Sequence, residues 1–524
     1  IYGFYKYYKA DDRQAYADVM ANINKRFGDL SLSANIGGSF TQTYYDERGF
    51  QGGLKDMSNV FSLYNMTTTL DKDTYPIESG YKQRTNSIFA SAEIGWKSML
   101  YMTLTGRNDW DSALINTEQS SFFYPSIGLS GVISEMVKLP KAITYLKVRG
   151  SFASVGAPIP KNLSSNKTYE WDPATSQWKL QTYRPLPKLY PERTNSWEAG
   201  LNAKFFNNSL SLEVTWYKAN TRKQTFQVPL SGTAVYATMY AQSGNIENKG
   251  MEFSLGYNKS WGDFSWNSNL TFSFNKNKIV ELLDDAVDDE GNHYSLSEID
   301  KGGIGSAKVI LRKGGSMGDM YVTNRLKRDN EGNVFIDKAS QNVKKEDIKN
   351  SDEFIHIGSV LPKSNLGFRN DFSYKGISLG FMLAARFGGI VISPTQAVMD
   401  QFGVSKVTAL ARDNEGVPVN NGKVDPQTYY TEVGGISGLM SNYVYSATNV
   451  RLQELSVGYS LPAKWFNNKC NLSLSITGHN LWMIYNKAPF DPEATASTGT
   501  YYQGVDYFMQ PSLRSWGFNV KIQF

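Results

Sequence analysis

Apolar residues in this chain recur at every second position, over stretches longer than an ordinary sheet requires. Residues 208–217 read Asn-Ser-Leu-Ser-Leu-Glu-Val-Thr-Trp-Tyr. Leu210, Leu212, Val214 and Trp216 fall on one face; Ser209, Ser211, Glu213 and Thr215 fall on the other. The C-terminus repeats the pattern, with Phe518, Val520, Ile522 and Phe524 set against Asn519, Lys521 and Gln523. Further rows are Leu30/Leu32/Ala34/Ile36, Leu366/Phe368/Phe372/Tyr374 (broken by Asn370), Leu472/Leu474/Ile476 and Trp266/Leu270/Phe272/Phe274. Strict alternation is the signature of a strand. No comparably long stretch has a 3.6-residue period, so helices should be few and short.

About fifteen strands are predicted, near 14–27, 30–45, 84–97, 98–110, 120–135, 142–157, 191–206, 208–222, 243–260, 263–278, 362–375, 377–390, 446–460, 468–481 and 512–524. Most exceed the usual five or six residues. Their connections run short, long, short, long. The short ones are Gly28-Asp29, Lys97-Ser98, Ser134 to Lys141, Asn207-Asn208, Trp261-Gly262, Lys375-Gly376 and Leu461 to Asn467. The long ones lie near 46–83, 111–119, 158–190, 223–242, 279–361, 391–445 and 482–511. A soluble all-β protein with core aromatics has no reason to put every long loop at one end. An outer-membrane barrel does, with short periplasmic turns and long extracellular loops. Long loops without structure of their own are uncommon in compact soluble domains and expected on a barrel. In hydrocarbon every backbone N–H and C=O must be paired, so a β structure spans only as a closed barrel.

Aromatics should girdle both interfaces. Trp96, Phe205, Phe206, Trp261, Phe264, Tyr374, Trp465 and Phe466 cluster beside the short turns. Tyr44, Tyr45, Trp110, Trp216, Tyr217, Tyr445, Trp482 and Tyr485 sit near the long-loop ends. With 32 Tyr, 28 Phe and 11 Trp the chain is not disordered. It has no run of about 18 apolar residues for a spanning helix.

The charge balance excludes other classes. Fifty-four basic and 49 acidic residues leave +5, which is no nucleic-acid footprint. The single cysteine, Cys470, rules out an intrachain disulfide. His293, His356 and His479 show no metal-ligand spacing. HExxH, GxSxG and Walker motifs are absent, and Gly302-Gly303-Ile304-Gly305 reads as loop glycine, so no enzyme and no cofactor is expected. The acidic run 284–291 offers hard oxygen ligands for Ca²⁺ but departs from the EF-hand pattern, and reads first as a solvated loop tip.

The loop aromatics Trp110, Tyr169, Trp171, Trp178, Tyr183, Tyr501, Tyr502 and Tyr507 are the candidate ligand contacts. Their flat apolar faces suit sugar rings and peptides at low entropic cost. Loop self-packing, or contact with a partner protein, is the competing reading. The strand count is odd, whereas bacterial single-chain barrels normally have an even number. Together with an N-terminus lacking initiator Met and signal peptide, this predicts that at least one strand precedes Ile1.

The chain resembles the C-terminal barrel portion of SusC-like (RagA-like) TonB-dependent transporters of Bacteroidota outer membranes. The segments that carry the resemblance span nearly its whole length. They are Arg107-Asn108-Asp109-Trp110; Phe122 to Ser126 running to Ser134-Glu135-Met136; Tyr145 to Arg149 with Ala153 to Gly156; and Pro191 to Thr194 with Ser196-Trp197-Glu198. Gly244-Asn245-Ile246 with Asn248-Lys249-Gly250 and Glu252 follows, then Asn449-Val450-Arg451-Leu452 and Gly458 to Pro462. The last are Gly478 to Trp482, Pro489 to Glu493 and Pro511 to Ser515. The resemblance implies a barrel of about 22 strands, with about seven strands, a plug domain and a TonB box preceding this sequence. It implies TonB-dependent import of oligosaccharides or peptides beneath a SusD-like surface lipoprotein, in contact with outer-membrane lipid and LPS. The terminal Phe518, Val520, Ile522 and Phe524 resemble the signal read by the outer-membrane insertion machinery. The alternative function is a passive outer-membrane diffusion porin; a barrel enzyme or adhesin is a more distant third.

Overall fold

A computed structural model describes residues 3–67, 74–117, 119–161, 163, 169–172, 177–180, 183–184, 189–229, 238–287, 293–497 and 504–524. Fifteen strands lie side by side in chain order: β1 (Phe4–Phe27), β2 (Leu30–Gly53), β3 (Tyr75–Trp96), β4 (Leu100–Asp111), β5 (Ser121–Val132), β6 (Ile143–Ala157), β7 (Glu192–Phe205), β8 (Leu210–Pro229), β9 (Thr238–Trp261), β10 (Phe264–Glu281), β11 (Ser364–Tyr374), β12 (Ile377–Phe387), β13 (Asn449–Ser460), β14 (Asn471–Asn486) and β15 (Ser515–Gln523). Each pairs antiparallel with the next. Tyr183–Arg184 adds a short parallel pairing to the start of β9.

Register turns the alternation into two faces. One row runs Ala203, Leu212, Leu255, Leu270, Phe368, Leu383 across six strands. Its neighbour on the opposite face runs Asn202, Glu213, Ser254, Thr271, Gly367. A slip of one residue in any strand would exchange the two faces. The first face leaves Val19, Ile36, Leu129, Val457, Ile476 and Phe518 exposed, which only hydrocarbon makes favourable on this scale. The second is the polar wall of the lumen. Asn370, which interrupts the apolar pattern, is buried beneath neighbouring rings and accepts a hydrogen bond from Trp266 Nε1 at 3.0 Å. That bond satisfies the amide oxygen, whose burial unpaired would be costly, while Nδ2 is buried without a partner among the described residues.

The short turns are built from left-handed residues. Lys375 and Gly376 both have positive φ, 45° and 88°, as do Asn207 and Asn208, at 56° and 65°. A tight hairpin needs this backbone to match the right-handed strand twist. Trp96, Phe206, Trp261, Tyr374 and Trp465 are exposed at this end, and Tyr44, Trp110, Trp216, Trp482 and Tyr485 at the other, as two aromatic belts. Tyr217, expected in the second belt, lies on the other face from Trp216 and lines the lumen instead. Tyr45 likewise alternates with Tyr44 and stacks on Tyr81 across the β2–β3 pair.

Two expectations need correcting. Several strands run farther toward the long loops than the alternation marks. β1 starts at Phe4, β2 continues to Gly53, β3 begins at Tyr75 and β8 reaches Pro229. Above the membrane both faces meet water, so the apolar row stops while the hydrogen bonding continues. The long loops are also not without structure. Residues 298–359 form a four-stranded sheet from Glu298–Ile304, Ala307–Arg312, Asp319–Val322 and Ile355–Ser359. Residues 391–445 hold α2 (Pro394–Gln401), α3 (Lys406–Asp413) and α4 (Pro426–Val433), after the single turn of α1 (Ile133–Met136) on the short side. One apolar core unites three loops: Val309, Leu311, Met320 and Val322 pack with Ile392, Met440 and Tyr443, and with Val505. A loop of this length can bury its own apolar face, so it folds.

Candidate functional site on the lumen wall and rim

Three arrangements line the path from the long-loop end inward. The deepest is a cavity of about 780 Å³ on the lumen face of β6 to β11, lined by Arg149, Glu198, Glu213, Thr215, Tyr217 and Glu252 among others. Arg149 donates to Thr215 Oγ1 at 2.6 Å and to Glu213 Oε1 at 3.3 Å. Its guanidinium lies across the backbone of Gly200, where a Cβ would come within 2.5 Å of Nε. A side chain at position 200 would therefore displace Arg149. Three carboxylates facing one guanidinium leave this wall acidic. No catalytic triad or acid–base pair is assembled there; the groups can bind and orient but have no activated nucleophile beside them.

Nearer the mouth, Arg107 bridges β4 to β3. It donates to Asp109 Oδ1 at 2.7 Å and to Ser87 Oγ at 2.6 Å, and Tyr124 on β5 donates to Asp109 Oδ2 at 2.6 Å. This network ties three adjacent strands through their lumen side.

The third arrangement is at the rim. Arg451 on β13 is buried and pairs with Asp491 Oδ1 at 2.9 Å and Glu493 Oε2 at 3.3 Å. Asn449 Nδ2 donates to Glu493 at 3.1 Å, and the Ser512 hydroxyl donates to Asp491. Burial alone would raise the Asp491 carboxyl, but the Arg451 and Ser512 hydrogen bonds outweigh it and hold the group below the ordinary carboxylate range. The loop 487–514 is thereby pinned to the barrel. It is also joined to the loop that follows β12: Ile392 N donates to Gly504 O at 2.7 Å, and Ser393 Oγ to Asp506 Oδ2 at 2.6 Å. Close by, burial and the Asp400 charge push the Tyr443 phenol above its usual range.

Of the eight aromatic candidates, the side chains of Trp110, Tyr169, Trp178 and Tyr507 are described, and they fall on three separate parts of the chain. Trp110 shares the outward face of β4 with Leu100 and Leu104 and belongs to the belt. Tyr169 and Trp178 are two-thirds exposed on a hairpin, Tyr169–Asp172 with Gln177–Leu180, in which Trp171 lies directly opposite Trp178. Tyr183 sits in the short strand beside β9. Tyr507 is partly exposed and packs edge-on to Phe508. Tyr501 and Tyr502 lie outside the described residues, as does the tip of the acidic run at 288–291. Among the described residues no group of three or more His, Cys, Asp or Glu could hold a metal ion. Sequence reasoning placed Glu213 and Thr215 on the polar face but did not single out Arg149 or Glu252 as a wall. The available signal was their shared parity on neighbouring strands.

Residues 2–307 match the family model described as TonB dependent receptor-like, beta-barrel. TonB-dependent receptor P3 of Formosa agariphila is 26% identical over 96% of this chain and 51% of its own length. TonB-dependent receptor SusC of Bacteroides thetaiotaomicron is 22% identical over 85% of this chain and 44% of its own. The chain thus spans about half the length of the curated relatives it matches. Among solved structures, the RagAB peptide transporter superposes with a TM-score of 0.75 at 19% identity, covering 98% of this chain and 55% of that one. That likeness is one of fold.

Proposed function

Because this chain belongs to the TonB dependent receptor-like β-barrel family, an outer-membrane family, we propose that it forms the barrel wall of a SusC/RagA-type importer. Uptake is driven through TonB, and a SusD-like lipoprotein sits as a lid on the long-loop face. The observation that carries this reading is the pairing of an outward apolar face with a polar lumen wall, beneath loops that fold into a module of their own. A bare diffusion pore needs no such module; large folded loops usually bind.

The cargo is an oligomeric nutrient, glycan in preference to peptide. Supporting the glycan are Trp171 and Trp178, opposed across one hairpin, with Trp178 exposed. Supporting the peptide is the fold shared with RagAB, which is described as a peptide transporter. The test is growth of a deletion strain on a panel of polysaccharides and peptides, with uptake measured with and without TonB. Loss of growth on one polysaccharide, restored by the full-length gene only when TonB is present, is expected. Normal uptake of every substrate by the deletion strain, or uptake indifferent to TonB, would leave the passive porin reading standing.

Orientation is checked separately. A cysteine introduced in the exposed segment 329–333 should label on intact cells, and one at Lys375 only after the outer membrane is permeabilised. The reverse pattern would invert the barrel.

The terminal row also has a proposed role in assembly. Phe518, Val520 and Ile522 continue the outward rows of β14 through Ile476, Leu474 and Leu472, and Phe524 follows them almost fully exposed. Deleting Phe524 from the full-length protein should lower the heat-modifiable folded fraction seen on gels. An unchanged fraction would reject that role.

A further inference from the structure

On the outward face, directly above the exposed apolar residues Trp216, Met251 and Phe274, the next row toward the long loops is Lys218, Lys249 and Lys276. These lysines are not merely near one another in sequence. Lys218 is the register partner of Lys249, and Lys249 of Lys276, across β8, β9 and β10. Like charges directly opposed on one sheet face, about 5 Å apart at Cβ, destabilise the pairing. One carboxylate answers them: Glu247 pairs with Lys218 at 3.0 Å and with Lys249 at 3.7 Å. Glu247 is itself the register partner of a fourth lysine, Lys278. Lys276 and Lys278 are exposed, and Lys276 has no ion pair among the described residues. Farther along, Arg193 on the neighbouring β7 lies directly opposite Arg222 on β8.

We propose that this row is a binding site for the phosphorylated headgroup of an outer-leaflet lipid, and it rests on the long loops being extracellular. The row lies where such a headgroup must be. Below it the exposed Trp216, Met251 and Phe274 meet acyl chains, beside it Trp197 is the register partner of Lys218, and above it the strands leave the membrane. A lysine stem lies along apolar surface while its ammonium reaches the interface. Three ammonium groups on adjacent strands present a flat cationic face to a phosphate oxyanion, whose charge relieves their mutual repulsion. Four lysines against one carboxylate leave the patch positive, so it attracts the anion and not a neutral sugar. The continuity of cationic row with apolar row selects an amphiphile over a free ion.

The test uses the full-length protein purified in detergent, with native mass spectrometry counting bound monophosphoryl lipid A against its dephosphorylated form. Wild type should retain the phosphorylated lipid in preference, and K218Q/K249Q/K276Q should bind it about 100-fold more weakly, at roughly fivefold per lysine. Glu247→Gln removes the competing carboxylate and should tighten binding several-fold, which keeps the proposal testable if the triple variant does not fold. Equal retention of the two lipids, unaltered binding by the triple variant, or weaker binding by Glu247→Gln would overturn the site. Inorganic phosphate should compete only far above the lipid concentration; competition at equal concentration would make the site one for free phosphate. Binding in detergent is read independently of cysteine labelling, so an inverted barrel and a failed lipid site give different results.

Discussion

Arg451→Met is expected to release loop 487–514 from the rim while leaving the barrel folded. Arg451 is 5% exposed and Asp491 10% at their side chains, and the guanidinium is shared with Glu493. Removing one partner of a buried pair leaves the other charge uncompensated, at about 3–5 kcal/mol. The cost falls on the opening of the loop, because the strand ladder of β13 with β12 and β14 does not depend on it. Hydrogen-exchange protection in 488–496 and 504–506 should drop by about a hundredfold or more, at 1.4 kcal/mol per tenfold. Protection in β13 should change little. Equal loss in both places, or none in the loop, would refute the latch. The pH dependence follows from the same pair. Asp491 is held below its unfolded value, so its contribution is complete above the ordinary Asp range near 3.9 and is lost as pH falls through the lower folded value. Loop protection should therefore be flat from neutral pH to about 4 and decline below it.

Leu212→Arg carries the second large effect, because it separates the two faces of one strand. Leu212 lies between Ala203 and Leu255 in the outward row, two rows below Trp216. An arginine there, near the membrane midplane, should cost roughly 2–4 kcal/mol. Glu213→Arg, one residue along, enters the lumen cavity and meets water, though it also loses its contact with Arg149 at 3.3 Å. It should cost much less. Both variants are measured as the shift in urea midpoint for folding of the full-length protein into lipid vesicles. If Glu213→Arg proved as costly as Leu212→Arg, the facing of β8 would be wrong.

The strands were legible because membrane and lumen impose opposite demands on alternate residues. Leu210, Leu212, Val214 and Trp216 announce β8 without any partner being known, and all fifteen barrel strands appear where such rows occur. The same signal fades where its cause ends. Phe4 to Arg13 and Asp46 to Gly53 extend β1 and β2 beyond the hydrocarbon, where no apolar face is required. The loop sheet at 298–359 was missed for a related reason: its strands are short and its apolar residues serve a core assembled from three distant loops. Among the aromatic candidates, identity alone could not separate belt from loop, and Trp110 is set by its parity with Leu100 and Leu104 on β4.

What the sequence by itself determined is the β-barrel class, the number of strands, the sorting of short turns from long loops and the division of each strand into two faces. All of these follow from local periodicity, which each segment carries alone. Register was decided only in three dimensions, because an isolated strand does not specify which residue of its neighbour it meets. Arg149 over Gly200, Lys218 beside Lys249 and Lys276, and Arg451 between Asp491 and Glu493 all depend on it. Arg451 and Asp491 are 40 residues apart in the chain. They meet because β13 and β14 pair and the loop after β14 folds back over the rim, a distance that no periodicity spans.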